Sequence, residues 1–347
     1  MTGLVRSASL TNFAEIARAT GLDPVRMLSA AGLPQACLVD PELLIPIDTV
    51  RQLLEDAAER TGVEAFGLLM AETRKLSNLG PIGLLIREQP TLRHALELLV
   101  RHSRNLNAAL FMTLEEAGNL VVLREEIVVG GSGAVRQSTE LAIGVVFRML
   151  RAFLGPEWRP QRVCFAHDAP ADVSAHDRLF GRGVEFGHDF NGIVFRKRDL
   201  EADNPNADPA SARYVQKLVD ANVPSQPAAM AARVHEQVVL LLGAGRCSID
   251  VVAQNLGVDR RTVHRRLAAE SSSYSAIVDQ VRRELASRYL ERCERPLTEV
   301  SAMLGFSAPS GFSRWYRRQF GSTATQARKS SPGAKRGSSS GRQSKHR

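Results

Sequence analysis

One pattern occurs twice in the last third of the chain, and it limits the possible folds more than any other feature. The first copy, residues 249–267, reads IDVVAQNLGVDRRTVHRRL; the second, residues 297–316, reads LTEVSAMLGFSAPSGFSRWY. Aligned, Ile249 meets Leu297, Val252 meets Val300, Leu256 meets Leu304, Gly257 meets Gly305 and Val258 meets Phe306. The second copy then carries one extra residue, after which Val263 meets Phe312, Arg265 meets Arg314 and Leu267 meets Tyr316. Each copy reads as helix, tight turn, helix. Val252 and Leu256, like Val300 and Leu304, stand four apart and share one helix face. The glycine after each pair supplies a positive φ that other residues adopt only at a cost. Val258 and Phe306 anchor the turn, and Asp259 and Ser307 are placed to cap the next helix.

That next helix has two unlike faces. Val263 and Leu267 in the first copy, and Phe312 and Tyr316 in the second, point inward. The outward positions are Arg260, Arg261, His264, Arg265 and Arg266 in the first copy, and Ser310, Ser313, Arg314, Arg317 and Arg318 in the second. Arginine bonds a guanine edge bidentately and also neutralises phosphate, and serine suits either target. On a lone helix such a run reads as a solvated face. Two of them behind the same turn chemistry read as a pair of helix-turn-helix units, each with a helix shaped for a DNA major groove. The contact residues expected are Arg260, Arg261, His264, Arg265, Ser310, Ser313, Arg314 and Arg317.

Between the copies, residues 273–293 form one amphipathic helix with Ile277, Val281, Leu285 and Tyr289 along a stripe. Some 18 residues of helix span roughly 27 Å, enough to hold two reading helices about one DNA turn, roughly 34 Å, apart. Arg282, Arg283 and Arg288 on it are open to two readings, phosphate contacts or plain surface charges. Pro296 marks the break before the second copy.

This region resembles the DNA-binding domain of the AraC/XylS family of transcriptional regulators. The resemblance is carried by the LGF ending at Phe306, by Ser307, Ser310, Phe312, Arg314, Tyr316 and Arg317, and by Phe320–Gly321. The chain departs from the family pattern at Ser271, where a glycine is expected, and at Ala324 and Ala327 near the end. The resemblance implies double-stranded DNA and RNA polymerase as partners, and activation of transcription.

Charge agrees with a polyanionic partner. Residues 246–347 carry 20 Lys and Arg against 8 Asp and Glu, a net of +12, while the preceding 245 residues carry 25 against 29, a net of −4. Part of the excess belongs to residues 329–347, a tail rich in Ser, Gly and basic residues that is too polar to fold alone. The four cysteines are scattered and none has zinc spacing, which reads as reduced thiols of a cytoplasmic protein. No signal peptide is expected. Residues 141–154, the longest apolar run, include Arg148 and Arg151 and read as a core helix, so no membrane association is expected.

The first two thirds read as α+β. Helices are expected at 13–19, 25–30, 46–61, 91–106 and 141–154. Strands are expected at 109–114 and 120–127 around a turn at Gly118–Asn119, and again at 162–166, 184–186 and 192–196. The whole is an α+β domain, residues 1–202, joined by a linker over 203–230, interrupted by a short helix at 212–220, to an all-α domain over 231–328 of two helix-turn-helix subdomains and a linker helix.

The N-terminal segment resembles the arabinose-binding-type domain of one branch of the same family. It does so through IPI at 45–47, GL at 67–68, LGPIG at 79–83, TLRHA at 91–95, RH at 101–102, LFG at 179–181 and VEFG at 184–187. That resemblance implies binding of a small-molecule effector, self-association as a homodimer, or both, without specifying arabinose. A protein partner in place of the effector stays open.

Catalytic chemistry is thin. His94 and His102 share a helix without a third ligand. His167, Asp168, His176 and Asp177 lie in a loop-rich stretch around Pro170 and are not read as a metal site. The GGSG at 130–133 lacks a following GK[ST] and reads as a flexible turn. Arg136, Gln137 and Glu140 read as an exposed helix start, the alternative being a pocket lining. An enzyme fused to a DNA-targeting domain needs a reactive cysteine, and Cys37 and Cys164 lack the setting for one. No enzyme activity and no cofactor are expected.

Overall fold

A computed structural model of the chain describes residues 3–128, 134–222, 229–242, 247–291 and 296–330. The GGSG turn, Cys293, the side chain of Arg288 and the tail beyond Ser330 lie outside the described residues. The chain divides near residue 227 into two compact units.

The first unit opens with β1 (Leu4–Arg6), α1 (Phe13–Ala19), α2 (Pro24–Ala30), β2 (Leu44–Pro46), α3 (Ile47–Thr61), α4 (Phe66–Glu72), α5 (Pro81–Arg87) and α6 (Leu92–Leu106). The hairpin β3 (Leu110–Ala117) and β4 (Leu120–Ile127) follows, then α7 (Arg136–Leu154), β5 (Arg162–Cys164), α8 (Ser174–Phe180), β6 (Val184–Glu185), β7 (Asn191–Arg196) and α9 (Pro209–Asn222). A five-stranded sheet runs β3-β4-β7-β5-β6, antiparallel except for the last pair, and β1 pairs with β2 in a small second sheet.

Local chemistry accounts for several boundaries. Asp23 caps α2 by accepting the Val25 and Arg26 amides, with Pro24 at the first helical position. Thr91 caps α6 through the His94 amide. α4 crosses α7 closely, because a Cβ on Gly67 would lie 2.0 Å from the Gln137 carbonyl oxygen.

Several boundaries differ from the sequence expectation, three of them for clear physical reasons. β3 runs on to Ala117, because the two-residue turn lets the ladder close at Ala117 and Leu120. α7 begins at Arg136, five residues early, because Gln137 and Glu140 are buried and hydrogen-bonded. The expected linker over 203–230 is mostly structured. Asn204 bonds the Pro90, Arg87 and Gln89 carbonyls, the Asp208 amide donates to Glu88, and Val219 of α9 is buried in the first core. Burial of Val219 draws α9 into the first unit.

The second unit contains α10 (Met230–Leu242), α11 (Ile249–Asn255), α12 (Arg260–Ala269), α13 (Tyr274–Glu291), α14 (Leu297–Met303), α15 (Pro309–Phe320) and α16 (Ala324–Ser330). α10 packs on α13, and α13 buries Ile277, Val278, Val281, Leu285, Ala286, Tyr289 and Leu290. The turns at Gly257 and Gly305 have φ of +65° and +68°. Asp259 caps α12 as expected, accepting the Thr262 amide at 2.7 Å. Ser307 does not cap α15. Its N-cap is Ala308, with Pro309 at the first helical position. Proline suits that position and forces the residue before it into extended backbone, so the start moves one residue on.

Ser271 ends α12 in the left-handed region at φ +53°. Its amide bonds the Ala268 carbonyl at 3.0 Å, and the Ser272 amide bonds Leu267 at 2.9 Å, which completes a Schellman motif without its usual glycine. A β-carbon there costs about 1 kcal/mol. Ser271→Gly is therefore expected to stabilise the second unit by about that amount, read as a rise in the urea midpoint, and Ser271→Val to lower it. A Gly variant no more stable than the parent would remove the claim of strain.

Candidate functional site

The two second helices of the repeats are built alike. On α12, Val263 and Leu267 are fully buried; on α15, Phe312, Trp315 and Tyr316 are. The opposite faces are open. Arg260, Arg261, His264, Arg265 and Arg266 of α12 are all exposed, as are Ser310, Ser313, Arg314, Arg317 and Arg318 of α15. Arg261, His264 and Arg265 stand at i, i+3, i+4, and Ser310, Arg314 and Arg317 at i, i+4, i+7, so each set lies on one side of its helix.

Their partners are few. Arg260 lies 3.9 Å from the exposed Asp250, a pairing that solvent screens. The Ser313 hydroxyl donates to the Pro309 carbonyl at 3.0 Å. The side chains of Arg261, Arg265, Arg314 and Arg317 make no hydrogen bond or ion pair among the described residues, which leaves their guanidinium donors for a ligand. The Thr262 hydroxyl and amide hold the Asp259 carboxyl below its ordinary range, so this cap stays ionised under the positive helix end.

The spacer helix holds the second repeat by specific contacts, and α10 holds the first. Trp315, which the sequence reading did not place on the inner face, donates its indole Nε1 to Asp279 of α13 at 3.0 Å. It packs against Phe306 and Phe312 with ring centroids 5.4 and 6.4 Å away. Its signal was its position three residues after Phe312. On the side of the first repeat, Glu270 at the end of α12 accepts the Met230 and Ala231 amides, each at 2.7 Å, and so caps α10.

Arg282 stands apart from the surface arginines. It donates to the Leu304 and Gly305 carbonyls at 2.9 and 3.1 Å, and its guanidinium lies 4.1 Å from the Phe306 ring centre. Of the two readings open for it, phosphate contact or plain surface charge, neither describes this clip on the second turn. Arg283 is exposed, with one long contact of 3.4 Å to Gln319.

In the first unit the exposed-helix-start reading of Arg136, Gln137 and Glu140 is overturned. The Gln137 side chain accepts the Gly67 amide and donates to the Glu64 carbonyl, both at 2.8 Å. Glu140, fully buried, meets Arg136 Nε at 3.0 Å, His176 Nε2 at 3.1 Å and His167 Nε2 at 3.3 Å. Helix α7 thus pins the segment that carries both histidines, while Asp168 and Asp177 take no part in these contacts. His94 and His102 stay apart, the first against Thr91 and the second against Asn105. The fold brings Cys164, Glu185 and His188 within 4.8 Å of one another, an approach hidden by a gap of some twenty residues. Burial pushes the Cys164 thiol up to about 11 and raises that of Cys37, so neither is a ready nucleophile.

Comparison with known proteins agrees with this geometry. The description "Arabinose-binding domain of AraC transcription regulator, N-term" matches residues 21–204, more than half of the 347, and "Helix-turn-helix domain" matches 252–330. The chain belongs to the AraC family of transcription regulators. It is a DNA-binding regulator with an arabinose-binding-type N-terminal domain. Among its relatives is the HTH-type transcriptional regulator VirS of Mycobacterium tuberculosis, 28% identical over 94% of this chain and 96% of that protein. Another is the ornithine utilization regulator of Pseudomonas aeruginosa, 23% identical over 87% and 89%. The crystal structure of the transcriptional regulator CdpR from the same species is similar at a TM-score of 0.43 and 21% identity, covering 88% of this chain and 96% of that one. No helix among the described residues is long and apolar enough to cross a membrane.

Arg282→Ala is expected to destabilise the second unit by about 2 kcal/mol, through two hydrogen bonds from a charged donor and a ring contact. Arg283→Ala should leave stability within about 0.5 kcal/mol of the parent. Chemical denaturation of both variants checks this. Equal stability would return Arg282 to the surface charges.

Proposed function

We propose that this AraC-family chain activates transcription in the cytoplasm in response to a small-molecule effector, with α12 and α15 read into two adjacent major-groove segments of one operator. The observation that carries the reading is the pair of matched helices, each buried on one face and presenting uncommitted arginines on the other. Arg260, Arg261, His264 and Arg265 are the contacts proposed for the first segment, and Ser310, Ser313, Arg314 and Arg317 for the second. The 18 residues of α13 would give the spacer a length of roughly 27 Å, compatible with a separation of about one DNA turn.

RNA polymerase is the proposed target of activation. A homodimer through the first unit belongs to the same reading, and Leu4, Val39 and Leu44, exposed on and beside the small sheet, would supply apolar surface for it. The chain is proposed to be a regulator without enzymatic activity, in keeping with protonated, buried thiols.

DNase footprinting on an operator selected from genomic fragments tests the reading, and two protected stretches about one turn apart are expected. Arg265→Ala and Arg314→Ala should each lose roughly 1–3 kcal/mol of specific binding, each losing protection mainly over its own segment. A single protected segment, or full affinity in both variants, would defeat the assignment. Affinity should also fall steeply between low and moderate salt, since several phosphates are neutralised together. A flat salt response would mean that the arginine faces do not meet the backbone.

A further inference from the structure

Strand β4 contains a residue that its own pattern excludes. Its buried side carries Val121, Leu123, Glu125 and Ile127 in strict alternation, so a carboxyl stands where the sheet requires an apolar side chain. Glu125 is 2% exposed, and neither carboxyl oxygen has a hydrogen-bond partner. Burial raises it well above the ordinary carboxylate range. A buried polar group left unbonded costs stability. A residue kept at that cost is a candidate for function.

Glu125 lines a cavity in the first unit of about 130 Å³. The walls are largely apolar, with Leu54, Leu110 and Met149 among them, and Ser9, Asn107 and Ser138 add polar groups. An apolar cavity of about 150 Å³ holds one benzene molecule, so this one suits a ligand of roughly six to eight heavy atoms. Three arginines also border it, and each gives donors to the protein, although Nε of Arg51 and Nε of Arg74 are buried without an acceptor. Arg74 donates to the Ala8, Ser9 and Thr11 carbonyls, Arg6 pairs with Glu42, and Arg51 donates to the Ala134 carbonyl and lies 4.0 Å from Asp48. An anionic ligand would meet guanidinium groups largely spent on the protein, with Nε of Arg51 and of Arg74 left over, and an added acid. A cationic nitrogen would meet the two free oxygens of Glu125.

We propose that this cavity is the effector site, and that it takes a small apolar molecule bearing one cationic nitrogen, with Glu125 as its counter-charge. The inference rests on the reading of the first unit as effector-responsive. The ligand enters as an ammonium or amidinium ion. Glu125 gives up its proton to solvent and becomes a carboxylate, which then accepts charge-assisted bonds at both oxygens. The apolar body of the ligand fills the space between the sheet and α7.

The test is calorimetric titration of the full chain with benzylamine and 2-phenylethylamine, against benzyl alcohol, benzamide and phenylacetate. The amines should bind roughly ten-fold or more tightly than the three controls. Titration in buffers of different ionisation enthalpy should show net proton release on amine binding. Glu125→Gln should lose the amine preference and the proton release while keeping weak binding of benzyl alcohol. It should also unfold at higher temperature than the parent, which guards against loss through misfolding. Ala142→Leu narrows the cavity with Glu125 in place and should weaken every probe.

Amine affinity unchanged in Glu125→Gln, equal affinity for phenylacetate or benzamide, or no saturable amine binding would overturn the assignment. If the amines bind as described yet operator affinity and transcription do not respond, the cation site stands and the effector-responsive reading fails. Absence of amine binding with intact operator binding removes this site alone.

Discussion

Helix α13 has to bury surface against several neighbours at once, and the DNA-reading half of the molecule depends on its doing so. α10 lies along it, α14 and α16 pack on it, and its side chains Asp279 and Arg282 reach the second repeat. Neither helix-turn-helix is large enough to hold its own core. Each leaves one apolar face on its reading helix, and burying that face fixes the direction of the opposite one. The direction of the arginines is therefore set by Val263, Leu267, Phe312, Trp315 and Tyr316 on the opposite, buried faces. Preorganisation of this kind reduces the ordering cost of recognition.

The first unit presents the reverse situation, a core that tolerates a defect. Several buried polar groups there are well engaged, as with Gln137 between Gly67 and Glu64, or Arg74, whose two terminal nitrogens meet three carbonyls. Glu125 has none of this, although it sits on a central strand between β3 and β7. The same sheet that supplies rigidity thus supplies a cavity wall with one uncompensated acid. The cluster of Glu140, His167 and His176 shows the contrast, because there a buried acid holds partners from α7, α8 and the chain after β5.

Legibility in the sequence followed the range of the interactions involved. The turns at Gly257 and Gly305, the Asp259 cap, the Thr91 cap and the inward faces of α12 and α15 all depend on residues within four or five positions of one another. Each could be read from spacing. The cap at Ser307 was misread because Pro309 competes for the same helix start. The linker was drawn too long because polar composition around 203–208 concealed hydrogen bonds to residues some 115 positions earlier. Trp315 and Arg282 were missed or left open because their partners sit on another helix. Glu125 was visible as a break in alternation, but only burial showed that the break is real.

By itself the sequence determined the duplicated helix-turn-helix, its arginine-bearing faces, the α+β character of the first unit and the family. Those properties come from periodicity and turn chemistry, which act between near neighbours and repeat. Tertiary structure alone decided which charges are free for a ligand and which are spent on the fold. It separated Arg282 from Arg265 and Arg314, drew Glu140 and two histidines together, and left the Glu125 carboxyl without a hydrogen bond in a largely apolar cavity. Whether a charged group is solvated, paired or stranded depends on what other segments bring beside it, and local spacing carries no record of that.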